Sequence, residues 1–164
     1  MLMERRMRMR ETHSAQRQVI LVSSMVMVLI LVVPGLDHRF NWSFVPTWAV
    51  IAADVAIFLG YALFALTLRE NRFASRVVEV ETEQAVIHTG PYALVRHPMY
   101  LAMSIMFVLS PVALGSWWGL VPSMVFPLTL LGRITNEEQL LRAELSGYED
   151  YCQATRYRLI PFIW

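Results

Sequence analysis

Residues 44–68 read FVPTWAVIAADVAIFLGYALFALTL, an apolar run interrupted by one charge, Asp54. The hydrocarbon core of a bilayer is crossed by about 20 helical residues, so this stretch is long enough to span it. Three shorter apolar stretches accompany it: Gln18 to Pro34, Pro98 to Leu114 and Trp117 to Leu131. Each lies near the lower limit of about 17 residues for a span. The last two are joined only by Gly115 and Ser116, which predicts a tight helical hairpin dipping through the bilayer.

Composition agrees with a membrane protein. Of 164 residues 56% are hydrophobic and 16% charged, with a mean hydropathy of +0.45, whereas about a quarter of a soluble domain is charged. Disorder and collagen-like repeats are excluded, and the lone Cys152 excludes a disulfide scaffold. The length fits one domain, 1–164, divided into a basic arm (1–17), two N-terminal spans (18–68) and a core (69–164).

All 14 basic residues are Arg and none is Lys, a composition that points to a GC-rich bacterial genome and so to an inner membrane. Arg5, Arg6, Arg8, Arg10 and Arg17 precede the first apolar stretch. Because they run directly into that stretch, they read as the positive flank of a membrane helix rather than a nucleic-acid arm, and the helix is expected to be retained because no small-residue cleavage site follows. The arm, the segment Arg69 to His97 and the tail after Gly132 hold every Arg except Arg39. Short Arg-rich loops stay cytoplasmic, and four spans place these three segments on one side with both termini cytoplasmic. Within the second of them, Val78, Glu79, Val80 and Glu81 alternate as an extended connection that ends in a Gly90-Pro91 turn.

Two polar clusters flank the hairpin. The first is Gly90-Pro91-Tyr92-Ala93-Leu94-Val95-Arg96-His97-Pro98-Met99-Tyr100. Pro98 suits the first position of a helix and forces His97 into an extended conformation. Arg96, His97 and free backbone N–H groups would then meet at the positive helix end as an anion site, or else act as interfacial anchors. The second cluster is Arg133, Glu137, Glu138 and Arg142. Its spacing predicts i,i+4 ion pairs Arg133–Glu137 and Glu138–Arg142, and Thr135 with Glu138 has capping-box spacing at the start of a helix over Asn136 to Ser146, with Gly147 as its terminator. Adjacent residues point about 100° apart on a helix, so only one of Glu137 and Glu138 would face a site squarely.

Asp54 is costly inside a span, hence either functional or hydrogen-bonded to a neighbouring helix. The tail from Tyr148 to Trp164 mixes aromatics with Arg, as interfacial belts do, with Tyr151, Phe162 and Trp164 the belt residues. No Gly-x-Gly occurs, and His13, His38, His88 and His97 lack metal-ligand spacing, so neither a dinucleotide fingerprint nor a metal site is expected.

In order and together, Gly90-Pro91-Tyr92, Val95-Arg96-His97-Pro98-Met99-Tyr100, a hydrophobic hairpin, Glu137-Glu138, Leu141, Gly147-Tyr148, Tyr151 and Arg158-Leu159-Ile160-Pro161 resemble the isoprenylcysteine carboxyl methyltransferase family and its relatives, the phospholipid N-methyltransferases. The resemblance covers Asn71 to Pro161. It implies a membrane enzyme that binds S-adenosylmethionine at its cytoplasmic face through Tyr92, Arg96, His97, Tyr100, Glu137 and Glu138, with Arg96, Glu138 and Arg158 in catalysis. Arg96 and His97 suit the cofactor's carboxylate; Glu137 or Glu138 suits its amino group and hydroxyls; Tyr92, Tyr100 and Met103 suit its adenine. An anionic acceptor needs no base, whereas an amine or thiol would call on the free glutamate or Asp54. The acceptor should be lipophilic or amphipathic and enter between helices.

Ala102 stands where the family often has Gly, and only two spans precede the core, so prenylcysteine is not carried over as substrate. The tail, with Tyr151-Cys152, Tyr157-Arg158 and Pro161-Phe162-Ile163-Trp164, is also similar to the end of the NADPH-dependent membrane sterol reductases, in which Arg156 or Arg158 would meet the cofactor's extra phosphate. A third possibility is a non-enzymatic membrane scaffold. The expected fold is all-α and integral to the membrane, with about four transmembrane helices, a C-terminal helical hairpin and a cytoplasmic cofactor-binding cap, in contact with lipids and not with nucleic acid.

Overall fold

A computed structural model describes residues 21–22, 24–71 and 85–164. The basic arm and the alternating Val78–Glu81 stretch lie outside the described residues. Among those described, every regular element is helical: α1 (24–40), α2 (Thr47–Glu70), a 3-10 turn (Gly90–Ala93), α3 (Pro98–Ala113), α4 (Leu120–Ser123), α5 (Val125–Glu144) and α6 (Tyr148–Ala154).

α2 is the one described helix long and apolar enough to cross a membrane, with a mean hydropathy of 2.2 in its best window and only 17% of that window buried. Most of its apolar side chains point outward, the arrangement expected of a helix that faces lipid rather than water. The inward face is made of small residues. Ala49, Ala53 and Gly60 are buried, and a Cβ on Gly60 would lie 3.1 Å from Met106 and 3.3 Å from Ile105, so glycine permits the close approach of α2 to α3.

The predicted hairpin forms, with two differences from the sequence reading. The chain reverses between α3 and α4 through Gly115, whose φ of +78° suits glycine. The stretch Trp117 to Leu131 is then broken at Met124, because the ring of Pro127 clashes with the carbonyl four residues back, at Ser123. Beyond that point the separate helix expected over Asn136 to Ser146 does not exist. α5 runs unbroken to Glu144, since no further proline interrupts it and Thr135 Oγ1 donates back to the carbonyls of Leu131 and Gly132, at 3.1 and 2.9 Å, instead of capping a new helix. α1 likewise passes through Pro34 to residue 40, where Asn41 with φ +52° ends it.

Three clusters hold these helices together. Val26 and Ile30 of α1 pack with Tyr100, Phe126, Leu130, Ile134 and the tail residue Leu159. Val45, Ala49, Ala53 and Val112 close the α2–α3 contact near the hairpin turn. At the other end Leu145, Tyr148, Tyr151 and Cys152 form a cap over Val86, Tyr92 and Leu141.

The turn end carries a polar lock that no sequence motif signals. Asp37 is wholly buried; its carboxylate accepts from the Ser43 N–H at 2.7 Å, from the Ser43 hydroxyl at 2.6 Å and from the Ser116 hydroxyl. Ser116 accepts in turn from the Gly119 N–H at 3.1 Å. A buried carboxylate needs such donors, and here they tie the α1–α2 connection to the hairpin turn.

Candidate active site

At the opposite end of the bundle, two elements far apart in sequence are stitched together by backbone. The N–H of Arg96 donates to the Tyr157 carbonyl and that of His97 to the Arg158 carbonyl, each at 2.9 Å. The backbone N–H groups of Arg96 and His97 are therefore already engaged, so they are not among the free donors at the start of α3. Pro98 opens α3, as expected, and His97 is its N-cap.

The stitching sets three side chains around one carboxylate. Glu138, buried on α5, accepts from Arg96 Nε at 2.8 Å and Arg158 Nε at 3.0 Å, one to each oxygen. His97 Nε2 lies 3.3 Å from the same oxygen as Arg96; an ionised carboxylate only accepts, so the imidazole proton belongs on Nε2. Burial by itself raises the affinity of Glu138 for a proton, but the hydrogen bond from His97 and the charges of Arg96 and Arg158 outweigh it and hold the carboxyl at about 2. Burial and the nearby Glu138 charge push the Tyr148 phenol up, so it stays neutral.

Arg96 has a second task. Its Nη1 donates to the carbonyls of Cys152, Thr155 and Arg156, at 3.4, 3.1 and 3.3 Å. This guanidinium is a clamp on the end of α6, buried with 6% of its side chain exposed, whereas Arg158 keeps 33% exposed and remains open to a ligand.

Glu137, one residue back, addresses a different atom. Its Oε2 accepts from the Tyr100 hydroxyl at 2.6 Å, and the Tyr100 hydroxyl oxygen in turn accepts from Arg133 Nε at 2.9 Å. The Tyr100 ring stacks on His97 with centroids 5.6 Å apart, because His97 and Tyr100 stand three apart on the same face of α3. The adjacent glutamates thus split as their 100° separation requires, yet end on neighbouring rings. Arg142, expected to pair with Glu138, instead reaches Glu149 at 3.1 Å; Glu138 is drawn inward by three stronger partners.

Tyr92 flanks this group from the 3-10 turn. Its hydroxyl accepts from Asn71 Nδ2 at 2.9 Å and its carbonyl accepts from the Tyr151 hydroxyl at 2.8 Å. Burial, and secondarily the Glu137 charge, raise its phenol. Tyr151, expected in an interfacial belt, is buried in the cap. Met103 packs partly buried against the α1–α3–α5 cluster. Asp54 is not brought to the site: it stands on the exposed face of α2, and no side-chain hydrogen bond or ion pair joins it to a described residue.

Residues 48–146, which carry α2 through α5 and both glutamates, match the family model described as phospholipid methyltransferase. The chain belongs to the phospholipid methyltransferase family. This family is related to the isoprenylcysteine carboxyl methyltransferases, so the resemblance seen in the sequence holds. No curated protein matches the chain significantly. Together with the apolar α2, membership makes this a membrane methyltransferase. Nothing favours the reductase, since the family matched over residues 48–146 is one of methyltransferases.

Proposed function

We propose that this phospholipid methyltransferase family member uses S-adenosylmethionine to methylate a lipophilic or amphipathic acceptor at the cytoplasmic face of a bacterial inner membrane, with α1, α2 and the α3–α5 hairpin as its four passages. The observation that carries this reading is the Glu138 cluster. A buried carboxylate gripped by two guanidinium groups and an imidazole is a rigid mixed-charge floor, and its donor set fits the zwitterionic methionine end of the cofactor.

Arg158, half open, would hold the cofactor's carboxylate; His97, Tyr100 and Glu137 offer the donors and acceptors its amino group and hydroxyls need, and Tyr92 lies beside them. Arg96 fixes the tail and Glu138 fixes Arg158, so both act by positioning. When bound, the cofactor supplies an electrophilic methyl group on a sulfonium. Glu138, held at about 2, is too weak a base to accept a proton from an acceptor. Glu137 has fewer cationic partners and stands nearer the surface, so deprotonation of an amine or thiol falls to it.

The experiment is methyl transfer from labelled S-adenosylmethionine into total lipids by the protein in membranes. We expect label in an extractable lipid product, reduced at least tenfold in His97→Ala, a step of about 1.4 kcal/mol or more in the barrier. No labelled product with any lipid or amphipathic acceptor would overturn the proposal.

A further inference from the structure

The tail ends in a small closed loop. The carbonyl of Trp164 accepts from the N–H groups of Arg158, Leu159 and Ile160 at 2.9, 3.0 and 3.1 Å, and the Trp164 N–H donates to Ile160 at 3.1 Å. At its tip Phe162 adopts φ +66°, a left-handed conformation that costs a bulky residue energy. The result is outward display of apolar side chains: Phe162 is 87% exposed, Ile163 77% and Ile160 41%.

The loop's inner side fixes its depth. Leu159 is buried among Val26, Ile30, Leu130 and Ile134, with Trp164 packed against them, so the tip sits at the rim of the apolar bundle. Arg156 beside it is exposed, which suits anionic headgroups. The same loop carries the site's open cation. Arg158 lies over the Trp164 ring, 5.2 Å from its centroid, while its Nε holds Glu138.

We propose that Ile160–Ile163 is an anchor inserted into the lipid interface, and that by holding Arg158 against Glu138 it makes assembly of the site depend on the membrane surface. Insertion of Phe162 and Ile163 recovers the apolar transfer energy left unused by their exposure and offsets the strained backbone at Phe162. The anchoring stands without any activity; that it governs methyl transfer rests on the function proposed above.

The test uses full-length protein in nanodiscs of phosphatidylcholine with phosphatidylglycerol, carrying Cys152→Ala and a spin label at a cysteine introduced at position 162 or 163. Labels there should collide with oxygen in preference to a water-soluble nickel chelate, the reverse of a label at Gln153 on the exposed side of α6. The same preference at all three positions, or shielding of 162 and 163 from both reagents by a protein partner, would overturn the anchor. Coupling is read by hydrogen exchange at the Arg96 and His97 amides, which donate to the tail. Phe162→Asp with Ile163→Asp should lose their protection, and Phe162→Leu with Ile163→Leu should keep it. Full protection in the aspartate variant would overturn the coupling, and should that variant not fold, the label measurement alone decides.

Discussion

Glu138 concentrates the polar energetics of one end of the molecule in a single side chain. Breaking a buried ion pair by neutralising one partner costs about 3–5 kcal/mol, so Glu138→Gln, which strands Arg96 and Arg158, is expected to lower the melting temperature steeply, whereas Glu149→Gln, in an exposed pair with Arg142, should change stability by less than about 1 kcal/mol. The pH dependence has a definite sign. A carboxyl held at about 2 in the fold against an ordinary 4.5 contributes its stability in full above pH 4.5 and loses it as pH falls toward 2. Melting curves of the wild type should decline through that window, and those of Glu138→Gln should be flatter there. Sequence spacing proposed i,i+4 partners for this residue and missed its actual ones because Arg96 and Arg158 lie 42 and 20 residues away; only the family resemblance put them in one site. Asp37 left no motif at all, yet a carboxylate beside an apolar stretch is a signal, since it must find donors when buried.

Among the elements, the sequence pattern splits α5 in two, since the apolar stretch ends at Leu131 and Thr135 has capping-box spacing to Glu138. The helix does not break there: Thr135 bonds back to its own helix, and a Cβ on Gly132 would meet nothing within 4 Å. Gly132→Ala is therefore expected to stabilise the protein by about 0.5–1 kcal/mol, measured as a rise in melting temperature. Gly119 is the contrasting case. An added Cβ would lie 2.9 Å from Pro34 and closer still to Pro111, so Gly119→Ala should destabilise by about 1–3 kcal/mol. The hairpin itself was legible from the two-residue link and from Pro98, whereas the break at Met124 needed the consequence of Pro127 to be followed one turn upstream. Continuity of α5 also has a consequence for the site, because one helix carries both the core contacts of Leu130 and Ile134 and the two glutamates. Packing thereby fixes where Glu137 and Glu138 point.

For the molecule as a whole, hydropathy was the most legible property and placement of function the least. The outward apolar face of α2 follows directly from its sequence, and so does the cost of Asp54 on that face. What sequence could not give is the backbone pairing of Arg96 and His97 with Tyr157 and Arg158, a contact between segments some sixty residues apart, and it is this pairing that turns two polar clusters into one site. Methyl transfer at that site requires that it hold the cofactor. Ligands that prefer the folded state raise the melting temperature by mass action, by about 2.7 kcal/mol of stability at a hundredfold excess over Kd. The most direct measurement is the melting temperature of the purified protein with and without S-adenosylhomocysteine, for the wild type, His97→Ala and Glu149→Gln. A rise is expected for the wild type and Glu149→Gln and none for His97→Ala; an equal rise in all three, or no rise in the wild type, would contradict a cofactor site at His97.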